Sequence, residues 1–122
     1  MIDYKFYNAN PLKNIEQDCV CRAISTATGL PYEDIENKLY LIGEIFECEE
    51  LCVCCYHHLL EKVFGFKQKF ANGKTVKDIS KEFSDCIVII RINGHLTCSL
   101  FGTVYDIWNC TDEQADIFWI VE

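Results

Sequence analysis

No stretch of the sequence approaches the roughly 18 consecutive apolar residues that a membrane-spanning helix needs, so a helical membrane protein is excluded. Basic residues are also scarce: 11 Lys and Arg stand against 19 Asp and Glu, for a net charge of -8. A sequence-independent grip on phosphate backbones takes clustered Lys and Arg, so nucleic acid is not expected as a partner. The first residues, Met1-Ile2-Asp3-Tyr4-Lys5-Phe6, carry an early acid and no continuous apolar core, and they do not read as a secretory signal. Repeats, low-complexity tracts and linkers are missing too. The 122 residues, half of them apolar, suit a single domain spanning 1–122 with one contiguous core.

What the chain has in excess is cysteine. There are 9, an odd number, and the crowding in Cys52-Val53-Cys54-Cys55 is unlike a spaced disulfide framework. Free thiols in a reducing cytoplasm are the expectation. Most of these residues read as small apolar core side chains, since free cysteine is among the most buried residue types.

The pattern along the chain changes once. After a short strand over 3–8 and a loop begun by Asn8-Ala9-Asn10-Pro11, apolar residues at Cys19, Val20, Ala23, Ile24 and Ala27 recur at helical spacing and Gly29 stops the run. Asp18 occupies the N-cap position. A second helix begins at Pro31, with Glu33, Asp34 and Glu36 where the helix dipole favours anions, and runs to about Leu41. A third, over 49–64, places Leu51, Cys55, Leu59 and Val63 on one stripe before Gly65. A strand over 66–70, a turn at Asn72-Gly73 and a capping-box helix from Thr75 to about Phe83 follow. Strands are then expected over 86–92, 95–101, 104–109 and 117–121. Helices first and antiparallel strands second predict an α+β domain, with helices packed on one face of a C-terminal antiparallel sheet.

A cysteine nucleophile acts as its thiolate, and a helix N-terminus lowers a thiol pKa through orphan N–H groups and positive partial charge. Cys19 holds that place. It also needs an imidazole oriented by a third group. His57 and His58 are neighbours on one helix and point about 100° apart, so at most one faces the core. His95 opens a strand after Asn93-Gly94, at an edge to which a docked helix can present its N-terminus.

Strand parity selects the third group. A two-residue loop drawn from Phe101-Gly102-Thr103 puts His95 on the same face as Asp106 and Trp108, and a three-residue loop puts Asn109 beside it instead. Gly102 as the first residue of a type II′ turn avoids a positive φ at Phe101, which favours Asp106 over Asn109. The Cys19 N–H is one natural oxyanion donor, and the side-chain amide of Asn14 or Gln17 is the second. Arg22 reads as a structural ion pair or a solvated head on the helix, with contact to a substrate carboxylate as the other reading.

The strings Asp18-Cys19-Val20-Cys21-Arg22-Ala23, Gly94-His95-Leu96-Thr97 and Tyr105-Asp106-Ile107-Trp108-Asn109 resemble those of small papain-like proteins of phages and bacteria. More distantly, they are similar to bacteriocin-processing cysteine peptidases. The resemblance covers residues from about Asn10 to Trp119. It implies a papain-like fold whose nucleophile, Cys19, opens a central helix, with the base His95 and the orienting residue Asp106 on the sheet.

The expected function is that of a cysteine hydrolase (peptidase, isopeptidase or amidase) acting on a protein or peptide through a thioester, with no cofactor and no metal. Two other readings use different features. The same scaffold can serve as a binding or regulatory protein, phage-encoded, with its reactive pair unused. A zinc module would instead draw on Cys48, Cys52, Cys55 and either His57 or His58, whose cysteines repeat along one helical stripe. That spacing is equally what an apolar helix face requires, and Cys52 and Cys55 have no second C-x-x-C partner elsewhere.

Overall fold

The structure, a computed structural model, describes residues 2–12, 18–47 and 53–121, apart from the Cys54 side chain. The sheet has six strands: β1 (Tyr4–Phe6), β2 (Lys67–Phe70), β3 (Ile87–Ile92), β4 (His95–Leu100), β5 (Thr103–Asp106) and β6 (Ala115–Val121). Their spatial order is β1-β5-β4-β3-β6-β2. The helices are α1 (Cys19–Thr28), α2 (Tyr32–Phe46), α3 (Val53–His58) and α4 (Val76–Glu82), and α3 runs on into a π-helical turn at Leu59–Val63.

Two expectations about this α+β arrangement need correction. The sheet is mixed, because β1 runs parallel to β5, with Tyr4 opposite Val104 and Phe6 opposite Asp106, while the other pairs are antiparallel. The helices also do not share one face. α1, α2, and α3 with its π-helical turn bury Ile24, Ile35, Leu39, Cys55 and Leu59 against Ile89, Leu96, Cys98 and Trp119. α4 buries Val76 and Ile79 against Val88, Ile90, Ile92 and Phe118 on the opposite face. The uninterrupted apolar run Ile87-Val88-Ile89-Ile90 carries the reason, since a strand covered on both faces has no polar alternation.

Locally the chain follows its patterns closely. α1 ends at Gly29, whose φ of 75° lets its N–H reach Ser25 O. The apolar stripe of α1 sinks Val20, Ala23, Ile24 and Ala27 into the core, and a fully buried Ile such as Ile24 contributes about 1.5–3 kcal/mol relative to exposure. α2 passes Leu41 because Ile42 still meets the core, and it stops at Phe46 where Glu47 turns left-handed. Thr75 and Asp78 close both bonds of the capping box on α4. The stripe of the third helix holds at Cys55 and Leu59, but Val63 is exposed. The Phe64 N–H bonds Leu59 O five residues back, and this wider turn brings Leu60 into the core instead. Among the described residues no helix is long and apolar enough to cross a membrane.

Candidate active site

α1 docks on the sheet with its first residue at the end where β4 begins. Its opening is anchored by a buried carboxylate. Asp18 sits at the N-cap but makes no side-chain cap bond; it is ion-paired with Arg22, accepts 2.9 Å from Asn10 Nδ2, and accepts 2.6 Å from the Tyr32 hydroxyl. The capping role expected of Asp18 is thus replaced by a tertiary one, and Arg22 is the structural ion-pair residue its position suggested. Asn10 is held by a further bond from its own N–H to Asn8 Oδ1 at 3.0 Å. No acid occupies the first turn of α1, and the charge of Asp18 at its N-cap is met by Arg22.

The β4–β5 hairpin carries the imidazole and its carboxylate. Its loop is Phe101-Gly102, with Leu100 opposite Thr103 and Cys98 opposite Tyr105. Phe101 adopts φ 51° and Gly102 φ 90°, the signature of a type I′ turn rather than the II′ turn expected from avoiding strain at Phe101. Both two-residue loops have the same parity, so His95 still shares a face with Asp106. His95 Nε2 lies 2.6 Å from Asp106 Oδ2, and the Ile107 N–H donates to Asp106 Oδ1 at 2.7 Å. Asp106 is buried, and the Trp108 ring packs on the His95 ring at a centroid distance of 5.2 Å. Asn109 stands apart: its Oδ1 accepts from the N–H and hydroxyl of Thr111, which shapes the loop and removes Asn109 as the orienting residue.

Cys19 meets His95, and the pair share a cleft of about 410 Å³ whose walls include Val20, Tyr56, Arg91 and Leu96. Burial raises the Cys19 thiol, but a hydrogen bond from His95, a backbone hydrogen bond from Leu96 and the charge of the ring outweigh it and hold the thiol below its ordinary value. Burial likewise opposes a charged His95. Hydrogen bonds with Asp106, Cys110 and Cys19 overcome that opposition and push the ring up to about 11. Burial also raises Asp106, and its bond to the imidazole more than offsets this, leaving the carboxyl below the usual range. All three shifts act in the same sense, toward thiolate, imidazolium and carboxylate. With Nε2 taken by Asp106, Nδ1 is the ring nitrogen left for the sulfur.

The remaining candidates divide. Asn14 and Gln17 lie outside the described residues, as do Cys48 and Cys52. Cys55 is buried in the core, His57 Nε2 lies 3.1 Å from Arg91 Nη1, and His58 packs on Phe46, so these three belong to separate environments. Trp119 is a core residue and Trp108 a half-exposed rim residue.

Cys110 was not singled out by its sequence context. Its Sγ lies 3.8 Å from Asp106 Oδ2, on a loop beyond β5 where strand parity no longer predicts direction. Six cysteines among the described residues, Cys19 and Cys110 included, are free thiols. Compared with known proteins, the chain matches no family model, no curated protein and no solved structure.

Proposed function

We propose that the protein is a cysteine hydrolase of papain-like architecture that cleaves an amide, isopeptide or related acyl bond in a protein or peptide. The observation that carries this reading is the chain of contacts from a helix-opening thiol to an imidazole held at 2.6 Å by a buried carboxylate. A carboxylate bound only to backbone would leave the ring free to rotate; Asp106 fixes its orientation and stabilises its charged form. The order of parts agrees with the papain-like reading, in which the nucleophile opens a helix early in the chain and the base and its partner follow on adjacent strands.

In this mechanism the Cys19 thiolate attacks the carbonyl carbon, and the π electrons move onto oxygen. The Cys19 N–H and the side chain of Asn14 or Gln17 hold that oxyanion. Nδ1–H of His95 protonates the leaving amine as the C–N bond breaks, which leaves a thioester on Cys19. His95 then takes a proton from water, whose oxygen adds to the thioester carbonyl and releases the acid and the thiolate. Asp106 keeps the Nε2 proton throughout.

Alkylation resolved by site tests this without knowledge of the substrate. At pH 6, iodoacetamide is expected to modify Cys19 at least about tenfold faster than the other thiols, because an ordinary thiol there is almost wholly protonated. Cleavage of a proteome-derived peptide mixture should disappear in Cys19→Ala. Uniformly slow labelling, or cleavage that survives Cys19→Ala, refutes the proposal.

A further inference from the structure

Cys110 takes no part in the chemistry above, yet it is fully buried and turns its sulfur toward the carboxylate oxygen that holds the base. His95, Asp106 and Cys110 each offer a ligand atom, and these atoms all lie within 4.8 Å of one another, the one group of three potential metal ligands among the described residues. Nitrogen, carboxylate oxygen and thiolate sulfur together form a donor set suited to zinc and to cobalt(II), and poorly suited to magnesium or calcium.

The geometry needs little change to accept such an ion. Metal–ligand bonds of about 2.0–2.3 Å set tetrahedral ligands roughly 3.3–3.7 Å apart. Cys110 Sγ and Asp106 Oδ2, at 3.8 Å, already approach that spacing. Nε2 and Oδ2, at 2.6 Å, must separate by less than about 1 Å once no proton binds them together. Asp106 Oδ1 accepts the Ile107 N–H, which keeps Oδ2 turned to the shared site as an outer-shell bond would. A carboxylate, a thiolate and a neutral imidazole cancel a divalent charge, and a neutral assembly is what a buried position tolerates. Of the three residues His95 is the one that lines the cleft, its side chain 12% exposed.

We propose that His95 Nε2, Asp106 Oδ2 and Cys110 Sγ bind one zinc ion, and that this ion reversibly inhibits the hydrolase by occupying its base. The inhibition, though not the binding, rests on the function proposed above. Two protons leave to solvent as the ion enters: the Cys110 thiol proton and the proton shared by Nε2 and Asp106. The ring then keeps a single proton at Nδ1, so it can neither take the Cys19 proton nor exist as an imidazolium. Cys19, a thiolate in the metal-free pair, takes one proton back from solvent and becomes a thiol with no charged partner, so the net release is one proton.

The full-length protein titrated with cobalt(II) tests the site through the thiolate-to-cobalt charge-transfer band in the ultraviolet. Wild type and Cys19→Ala are expected to develop the same band at one equivalent. Cys110→Ser and Asp106→Asn, with native circular dichroism, should require about a hundredfold more cobalt or more. Asp106→Asn preserves side-chain size and serves if Cys110→Ser fails to fold. A band that persists in both ligand variants, or that vanishes in Cys19→Ala, overturns the site. Zinc should slow Cys19 alkylation in wild type at the concentrations that fill the site, and a chelator should restore it; alkylation indifferent to zinc overturns the inhibition. Slow alkylation of Cys19 without any metal would refute the hydrolase alone, and the cobalt band would still decide the site.

Discussion

Two buried carboxylates flank Cys19, and they differ in what they hold. Asp18, its neighbour in sequence, binds a guanidinium, a hydroxyl and an amide. Asp106, on a distant strand, binds an imidazole. A guanidinium keeps its proton at any accessible pH, so the Asp18 cluster can only fix a shape. An imidazole can give its proton up, so the Asp106 cluster can pass one on. The same pairing of carboxylate and cation therefore makes a fixed anchor on one side of the sulfur and a pair with a titratable member on the other.

The largest effect is expected where the proton moves. Asp106→Asn should lower turnover, and the rate of Cys19 alkylation at pH 6, by about a hundredfold to ten-thousandfold, since an amide can accept the ring N–H but carries no charge to stabilise the imidazolium. Alkylation followed against pH should show wild-type Cys19 reactive below the range of ordinary thiols, falling as acid passes its lowered pKa. The two partners also oppose each other in stability. A ring raised from 6.5 to about 11 stabilises the fold fully below 6.5, and that contribution is lost as pH rises toward 11. A carboxyl lowered from 3.8 stabilises above 3.8 and loses its contribution as pH falls through its folded value. Relative to Asp106→Asn, the wild type should therefore gain its greatest advantage in thermal melts between about pH 4 and 6.5.

Asp18→Ala should act the other way round. Removing the carboxylate that pairs with the buried Arg22 guanidinium costs about 3–5 kcal/mol, read as a lower denaturant midpoint, while Cys19 in the surviving folded fraction keeps its pH profile. A shifted profile would mean that the anchor also tunes the sulfur, and the contrast between the two clusters would fail. Tyr32→Phe is the mildest change, removing one hydrogen bond of 2.6 Å to a carboxylate for about 1.5–3 kcal/mol, again with reactivity unchanged.

The meeting of Cys19, His95 and Asp106 was legible in the sequence because each step needed only local geometry. Helical spacing with Gly29 set α1 and placed Cys19 at its start. The parity of a two-residue loop set Asp106 beside His95, and it survived a mistaken turn type because both two-residue choices share that parity. The site around the triad was less legible. Asp18 looked like a cap, and nothing local distinguishes a capping carboxylate from one claimed by Tyr32 and Asn10 across the fold. Cys110 lies past the end of β5, where alternation stops carrying information about side-chain direction.

The sequence by itself determined the spans of α1 and α4, the cap at Thr75, and which residues of the β4–β5 hairpin share a face, because these depend on contacts within a few residues or across one tight turn. Only the tertiary structure decided that β1 runs parallel beside β5, that α4 covers the face opposite α1, and that a π-helical turn exchanges Val63 for Leu60 in the core. It also brought Cys110 to Asp106. Such pairings are chosen by burial summed over segments far apart in the chain, and no local pattern of residues encodes that sum.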